Sequence, residues 1–316
     1  MNSARAFAPS SVANVAVGFD LLGFSIGVAG DKVLVEKTAS PEIKIESISG
    51  ITTQITLDPI KNTATAGLIH LQKDLNLKFG FKVSIEKGIS LGSGMGGSAA
   101  SAVAAILAAN ALLESPLSQE KLMNYALIGE SQASGSFHAD NISPCLIGGL
   151  VLSRIRKTQN SLLPLVEITS IPLPKNIHCV LVHPQLAIET KQARSILKTE
   201  VAMSTFVEQS ANIAGFVAGC FTNDLKLISR SFADLIVEPQ RSHLIPGFFE
   251  VQTAAMSLGA LGCSISGAGP SVFAWAAQKS AADEIKLAML AAFRKVGVQA
   301  EGWAVPLDQR GAHLIS

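Results

Sequence analysis

Residues 88–101, Gly88-Ile89-Ser90-Leu91-Gly92-Ser93-Gly94-Met95-Gly96-Gly97-Ser98-Ala99-Ala100-Ser101, govern how the rest of the chain is read. The stretch holds five glycines and four serines. A strand-like segment, Phe81 to Glu86, leads into it, and a run of small and apolar residues, Ala99 to Leu113, leads out. Strand, glycine loop and helix together make an anion cradle. Glycines let several backbone N–H groups converge, and the helix N-terminus adds unpaired donors and a positive dipole end. A polyphosphate is the natural occupant; the rival reading is a flexible turn before a core helix.

Two common phosphate loops do not match. No lysine lies between Lys87 and Lys121, which excludes the G-x-x-x-x-G-K-[ST] pattern. Gly92 to Gly97 fits G-x-G-x-x-G by letter. However, the next acidic residue, Glu114, stands at the end of the helix, and the βαβ setting of a dinucleotide site is missing.

The 316-residue chain is long enough for two domains with well-formed cores, and its 48% apolar content excludes disorder. Its 25 basic and 24 acidic residues are interspersed and leave a net charge of +1. That is no footprint for nucleic acid or an anionic membrane. The run Ala99 to Leu113 is shorter than the ~20 residues that span a bilayer. No signal peptide is evident ahead of Ala6, and Cys145, Cys179, Cys220 and Cys263 are isolated. The expectation is a cytoplasmic protein with reduced core thiols.

Patterning predicts strands at 31–37, 42–48, 54–57, 81–86 and 148–156, with helices at 62–78, 99–113 and 118–131. Asn62 is the predicted N-cap of the first helix, and Ser118-Gln119-Glu120-Lys121 resembles a capping box. A polar stretch, Lys157 to Ser161, suggests a boundary. Beyond it, strands are expected at 166–171, 177–183, 260–266, 271–276 and 298–306, with helices at 190–198, 201–221, 224–231, 248–257 and 281–296. Strands mixed with runs of helix point to an α+β protein.

Three glycine-bearing motifs stand in order: Phe7-Ala8-Pro9-Ser10-Ser11-Val12-Ala13-Asn14 through Gly18-Phe19-Asp20 to Gly23; the glycine loop; and Ser264-Ile265-Ser266-Gly267-Ala268-Gly269-Pro270-Ser271. In this the chain resembles the superfamily of galactokinase, homoserine kinase, mevalonate kinase and phosphomevalonate kinase. Further motifs make it most similar to the homoserine kinase family: Gly135-Ser136-Phe137-His138-Ala139-Asp140-Asn141-Ile142-Ser143-Pro144, Thr190-Lys191-Gln192-Ala193-Arg194, and Glu238-Pro239-Gln240-Arg241 through Pro246-Gly247-Phe248. The likeness runs from Ala6 to Gly311-Ala312.

The resemblance implies a two-domain α+β small-molecule kinase. Residues 1–157 would be like ribosomal protein S5 domain 2 and residues 158–316 ferredoxin-like, with the active site in the cleft between. It implies ATP and Mg²⁺ as cofactors, homoserine as the small-molecule substrate, and a homodimer. Phosphoryl transfer asks a protein mainly to position two reactants and neutralise charge. Ser90, Leu91, Gly92, Ser93, Gly94, Met95, Gly96, Gly97, Ser98, Ala99 and Ala100 would wrap the ATP phosphates. Ser98 and Glu130 supply hard oxygen ligands for Mg²⁺; the plain alternative for Glu130 is a solvated helix residue.

Homoserine is a zwitterion with a primary hydroxyl. Arg194 and Arg241 offer guanidinium forks for its carboxylate. Asp20 and Asn14, brought together by a bend at Gly18, would face the ammonium, although Asp20 fits a helix N-cap about as well. Asn141 is placed near the acceptor hydroxyl and His138 positions substrate. Asp140 orients its neighbours or contacts substrate, and Thr190 adds a hydroxyl. Gly267-Ala268-Gly269 is read as a tight turn packed on the phosphate loop. The loop departs from the superfamily pattern: Ser90 replaces a proline, Met95 a leucine and Gly97 a serine, so a side-chain contact to nucleotide at position 97 is lost. The rivals are a sister kinase for mevalonate or a sugar, whose acceptors lack an ammonium, and a ligand-binding protein without turnover.

Overall fold

In the computed structural model of the chain, residues 2–135, 137–156, 165–307 and 310–316 are described. Ser136 and the polar stretch 157–161 fall outside them. In chain order the elements are β1 (Ser3–Ala13), β2 (Leu22–Thr38), β3 (Ile43–Gly50), α1 (Thr63–Asp74), β4 (Gly80–Lys87), α2 (Gly97–Asn110), α3 (Gln119–Ser134), α4 (Ala139–Ile147), β5 (Leu150–Arg156), β6 (Leu165–Ile171) and β7 (His178–Pro184). Then come α5 (Thr190–Ser195), α6 (Met203–Thr222), α7 (Leu225–Ser231), α8 (Glu238–Arg241), α9 (Phe248–Ser257), β8 (Gly262–Ile265), β9 (Val272–Ala276), α10 (Lys279–Lys295), β10 (Ala300–Pro306) and β11 (His313–Ile315).

The first sheet is built around β2, whose 17 residues pair with β1 along most of their length, with β5 at one end and with β4 at the other. Its order is β11-β1-β2-β4-β3, with β6 attached through β5; β3 runs parallel to β4. Helix α2 is buried almost all round, from Ala99 to Ala109, because its side chains are small enough to pack against β1, β2, α1 and α3 together.

The second sheet, β10-β7-β9-β8, is antiparallel; β7, β8 and β9 are buried on both faces, while the edge strand β10 is half-exposed. Alternation sorts its side chains. Cys179, Leu181, Phe273 and Trp275 join the core of the first sheet, while Val180, Val182, Val272 and Ala274 face the core under α9 and α10. Phe24 on β2 meets Phe273 and Trp275 edge-on at 5.7 and 5.8 Å between centroids. Such pairs add ~0.5–1.5 kcal/mol beyond burial, so the two sheets are fastened by aromatic packing as well as by chain connection.

Several sequence expectations are corrected. Residues Ser3–Ala13, for which the patterning gave no element, form strand β1, so motif one begins as strand before its turn, and β2 begins at Leu22 rather than near Asp31. Residues 54–57 form no strand. The segment after Phe137 is helical from Ala139 even with Pro144 inside it. Strands β6 and β11 lie beyond residue 157 yet pair into the first sheet, so a cut at 157/158 does not separate the two sheets. Asn62 does cap α1, accepting from Ala64 N at 3.0 Å, whereas the Ser118 side chain makes no cap bond. The four cysteines are free and buried. Among the described residues no helix is long and apolar enough to cross a membrane.

Candidate active site

A cleft of about 440 Å³ opens between the glycine loop, motif one, α4 and α5. Its walls include Asn14, Asp20, Glu130, His138, Asp140, Asn141, Thr190, Arg194 and Arg241, with Ser90 to Gly94 and Gly96 to Ser98 from the loop. Met95, Ala99 and Ala100 are not among them. Met95 is 3% exposed, and the two alanines are fully buried in the α2 packing, so their side chains serve the core.

Gly92, Gly94 and Gly96 have φ of 63°, 76° and 70°, the left-handed region that glycine enters without strain. A Cβ on Gly94 would lie 2.4 Å from Ser266 O and 2.7 Å from Gly269 O. The loop is thus pressed against motif three, which holds it through Ser266 Oγ to Gly94 O at 2.7 Å and Ser271 N to Ser93 O at 3.2 Å. Ile188 N donates to Gly92 O at 2.9 Å, tying the approach to α5 onto the same loop.

Motif one turns sharply. Asn14, Val15 and Ala16 all have positive φ (70°, 46° and 56°), as does Asp20 (59°). Such backbone is costly for residues with a Cβ and is retained where surrounding contacts impose it. The bend therefore lies at Asn14–Ala16 rather than at Gly18, whose missing Cβ makes room for Leu22. Asn14 fixes the turn: its Nδ2 donates to Gly267 O at 2.9 Å, and its Oδ1 accepts from Asp20 N at 3.1 Å. Asp20 caps no helix, since strand β2 follows it.

Arg194 donates to both carboxylate oxygens of Asp20, at 3.0 and 2.7 Å, and its Nη2 lies 2.9 Å from His138 Nε2. With Nε2 accepting, the His138 proton sits on Nδ1, 3.4 Å from Glu130. Burial works against a charged His138, but the Glu130 hydrogen bond and the Glu130 and Asp140 charges outweigh it and raise its pKa. Asp140 is 2% exposed and its Oδ1 has no hydrogen-bond partner among the described residues. Burial first, then the charge of Asp20, lifts its pKa to about 7. A close approach places it there: a Cβ on Gly23 would lie 1.8 Å from Asp140 O, so only glycine lets the start of α4 touch β2.

Arg241, 3% exposed, donates from Nε to Ala193 O at 3.0 Å and from Nη1 to Gly267 O at 3.1 Å. Among the described residues no carboxylate forms a salt bridge with it. Burial and the neighbouring Arg194 lower its pKa to about 10, still cationic at neutral pH. Both guanidinium groups lie over Phe19, at 5.3 and 5.2 Å from the ring centroid, and draw stabilisation from its face.

Asn141 accepts from Ser11 Oγ at 2.8 Å, and its Oδ1 lies 2.9 Å from where a Gly96 Cβ would stand. It therefore bridges the polar side of the cleft and the end of the glycine loop. Ser98 and Glu130 both face the cleft, and their hydroxyl and carboxylate suit a hard cation. Among the described residues no group of three or more His, Cys, Asp or Glu could hold a metal.

Ser11, Phe19 and Lys191 also reach this region, beyond the site residues that the sequence motifs indicate. Ser11 and Phe19 stand inside motif one, so the signal was present. Their roles depend on partners far away in the chain.

The chain matches the GHMP kinases N terminal domain over residues 62–149 and the GHMP kinases C terminal domain over residues 214–295. It is 48% identical to the homoserine kinase of Xylella fastidiosa (strain M12), over 99% of this chain and 94% of that protein. It is 38% identical to the homoserine kinase of Chlorobium phaeobacteroides (strain BS1), with both chains covered completely. The crystal structure of homoserine kinase from Cytophaga hutchinsonii superposes with a TM-score of 0.93 at 40% identity, covering 100% of this chain and 98% of that one. The crystal structure of L. major mevalonate kinase, at 16% identity and a TM-score of 0.67 over 95% of each chain, shares the fold. With full-length relatives of this kind at 38–48% identity, the chain belongs to the homoserine kinase family of the GHMP kinases.

Proposed function

We propose that the cleft transfers the γ-phosphoryl group of ATP to the side-chain hydroxyl of L-homoserine, giving O-phospho-L-homoserine and ADP. One observation carries this reading: a glycine-rich anion cradle and a charge set complementary to an amino-acid zwitterion share one cleft, joined by Asn141 at the end of the loop. Mevalonate and sugars have no ammonium to meet Asp20, and sugars have no carboxylate to meet Arg241.

The backbone N–H groups of residues 92–98 bind the nucleotide phosphates at the N-terminus of α2. Ser98 and Glu130 would hold Mg²⁺, which would supply charge neutralisation at the phosphates. Arg241 and Arg194 take the homoserine carboxylate and Asp20 its ammonium, while Thr190 lines the same wall. That grip leaves the hydroxyl end of the substrate directed to Asn141 and the loop. His138 is held between Arg194 and Glu130, which makes it a positioning group that keeps both in register. Asp140, with its carboxyl titrating near neutrality, limits the negative charge that the cleft presents to ATP.

A coupled assay of ADP release, run with homoserine, mevalonate and galactose side by side, tests the assignment. Turnover confined to homoserine is expected. Equal turnover with mevalonate would overturn the substrate, and ADP release unaffected by any acceptor would overturn the transfer reaction.

A further inference from the structure

Beneath the glycine loop lies a buried ion pair that the reaction as described does not use. Lys87, the last residue of β4, is 2% exposed, and Asp31 on β2, next to the Lys32–Glu86 register pair, is 0% exposed. The Lys87 ammonium meets the Asp31 carboxylate and donates to Gly97 O and Ser101 Oγ, each at 2.9 Å. Asp31 also accepts from Ser101 Oγ at 2.6 Å and from the backbone N–H groups of Gly88 and Ile89 at 3.0 and 3.3 Å. Gly88 and Ile89 enter the loop; Gly97 and Ser101 form the first turn of the helix that leaves it. One carboxylate–ammonium pair therefore closes both ends of the loop at its base.

The contact to Gly97 has a further consequence. Ala100 N bonds to Gly96 O, so the N–H groups of residues 97–99 have no acceptor inside the helix and are the donors an anion would meet. In a trans peptide the C=O and N–H point in opposite directions. The Gly97 carbonyl faces the Lys87 ammonium, so the N–H of the same peptide, that of Ser98, points away from it toward the helix N-terminus and the cleft. A cation bonded to the carbonyl polarises the amide and strengthens its N–H as a donor, an effect enlarged in a low-dielectric interior. The Asp31 carboxylate makes burial of that cation tolerable.

We propose that Lys87 and Asp31 are positioning residues for phosphate binding, fixing both ends of the glycine loop and strengthening the Ser98 N–H through the Gly97–Ser98 peptide. The ammonium does not meet the nucleotide, because its bonds are spent on Asp31, Gly97 and Ser101. This rests on the reading of residues 90–98 as the phosphate cradle.

The test uses two full-length variants. Asp31→Asn/Lys87→Met removes both charges together, retains an acceptor for Gly88 and Ile89, and deletes the donor to Gly97. Ser101→Ala removes one tether in a helix already rich in alanine, with no steric demand. ADP affinity by calorimetry should fall about 10-fold in the double variant and about 3-fold in Ser101→Ala, in keeping with weakened rather than deleted bonds. The KM for homoserine should stay unchanged, and amide exchange of residues 88–97 should quicken. A purely structural role would instead lower Tm and scale kcat with the folded fraction, leaving both substrates' affinities intact. Wild-type ADP affinity in either variant, measured on folded protein, overturns the proposal. Protection of residues 88–98 from amide exchange by ADP in the wild type separates the two readings. Without it the cradle itself is wrong; with it, unchanged variant affinity removes only the role of Lys87 and Asp31.

Discussion

Asp20 and Arg194, 174 residues apart, form a bidentate ion pair with N–O distances of 3.0 and 2.7 Å. They are the groups assigned to opposite ends of the substrate zwitterion, and in the protein they neutralise each other. Arg241 has no such partner among the described residues and is buried, so in the proposed reading it would be the stronger anchor for a carboxylate. On the proposed reading, homoserine would set its two charges beside this pair, with its carboxylate on the unpaired Arg241 cation.

Truncating either arginine should therefore act on homoserine and spare ATP. Arg241→Ala and Arg194→Ala are each expected to lower kcat/KM for homoserine about 100-fold or more, since charge-assisted bonds are lost in a partly desolvated cleft and each tenfold is ~1.4 kcal/mol. Asp20→Asn should impair homoserine while affecting a deaminated acceptor less. Steady-state kinetics with each substrate varied in turn decide this; wild-type kcat/KM in both arginine variants would show that the carboxylate binds elsewhere.

Glu130→Gln tests the cation. The amide keeps the size of the side chain but loses the charge that Mg²⁺ requires, so turnover should fall about 100-fold, in the range seen when one electrostatic stabiliser is removed. ADP binding without metal should be unchanged. Magnesium titrations of activity that match wild type would take Glu130 out of the metal site.

Gly94 stands under two demands, the positive φ of 76° and the approach of Ser266 O. Gly94→Val is expected to abolish ATP binding. It should also cost stability, because an L residue in the left-handed region costs ~1–2 kcal/mol before any clash is counted. Thermal unfolding and ADP calorimetry on the same preparation measure both. A variant that binds ATP normally would show that the phosphates lie elsewhere.

Glu238, at the start of α8, gives a pH test of stability. Burial raises its pKa, against the hydrogen bonds from Ser264 and Gln252, and the charge of Asp234 adds to the rise. A carboxyl with a raised folded-state pKa binds more protons when folded, so it weakens the fold as pH climbs from its ordinary value, ~4.3, toward the raised one. Glu238→Gln retains the bond with Gln252, and Ser264 can turn its hydroxyl to accept from the new amide. The Tm of this variant relative to wild type should increase between about pH 4 and pH 7. A constant difference across that range would show that Glu238 titrates normally.

The sequence by itself determined what depends on local chemistry. The glycines at 92, 94 and 96 announce backbone that only glycine adopts freely, Asn62 announces a helix start, and the continuous apolar runs at 179–182 and 272–276 announce strands. The order of three glycine motifs, with the His138, Arg194 and Arg241 segments between them, was enough to place the chain in its family and name most of the polar residues that line the cleft. Only the tertiary structure decided which of those residues touch. A single charged residue on a strand, such as Asp31 or Lys87, reads as solvent-facing until a helix is laid across it. Asp20 reads as an N-cap until Arg194 arrives from 174 residues away. Strands β6 and β11 read as parts of the second half, yet they complete the first sheet, because strand pairing is settled by which edge offers unpaired N–H and C=O groups and apolar cover, a property of the assembled molecule rather than of any segment.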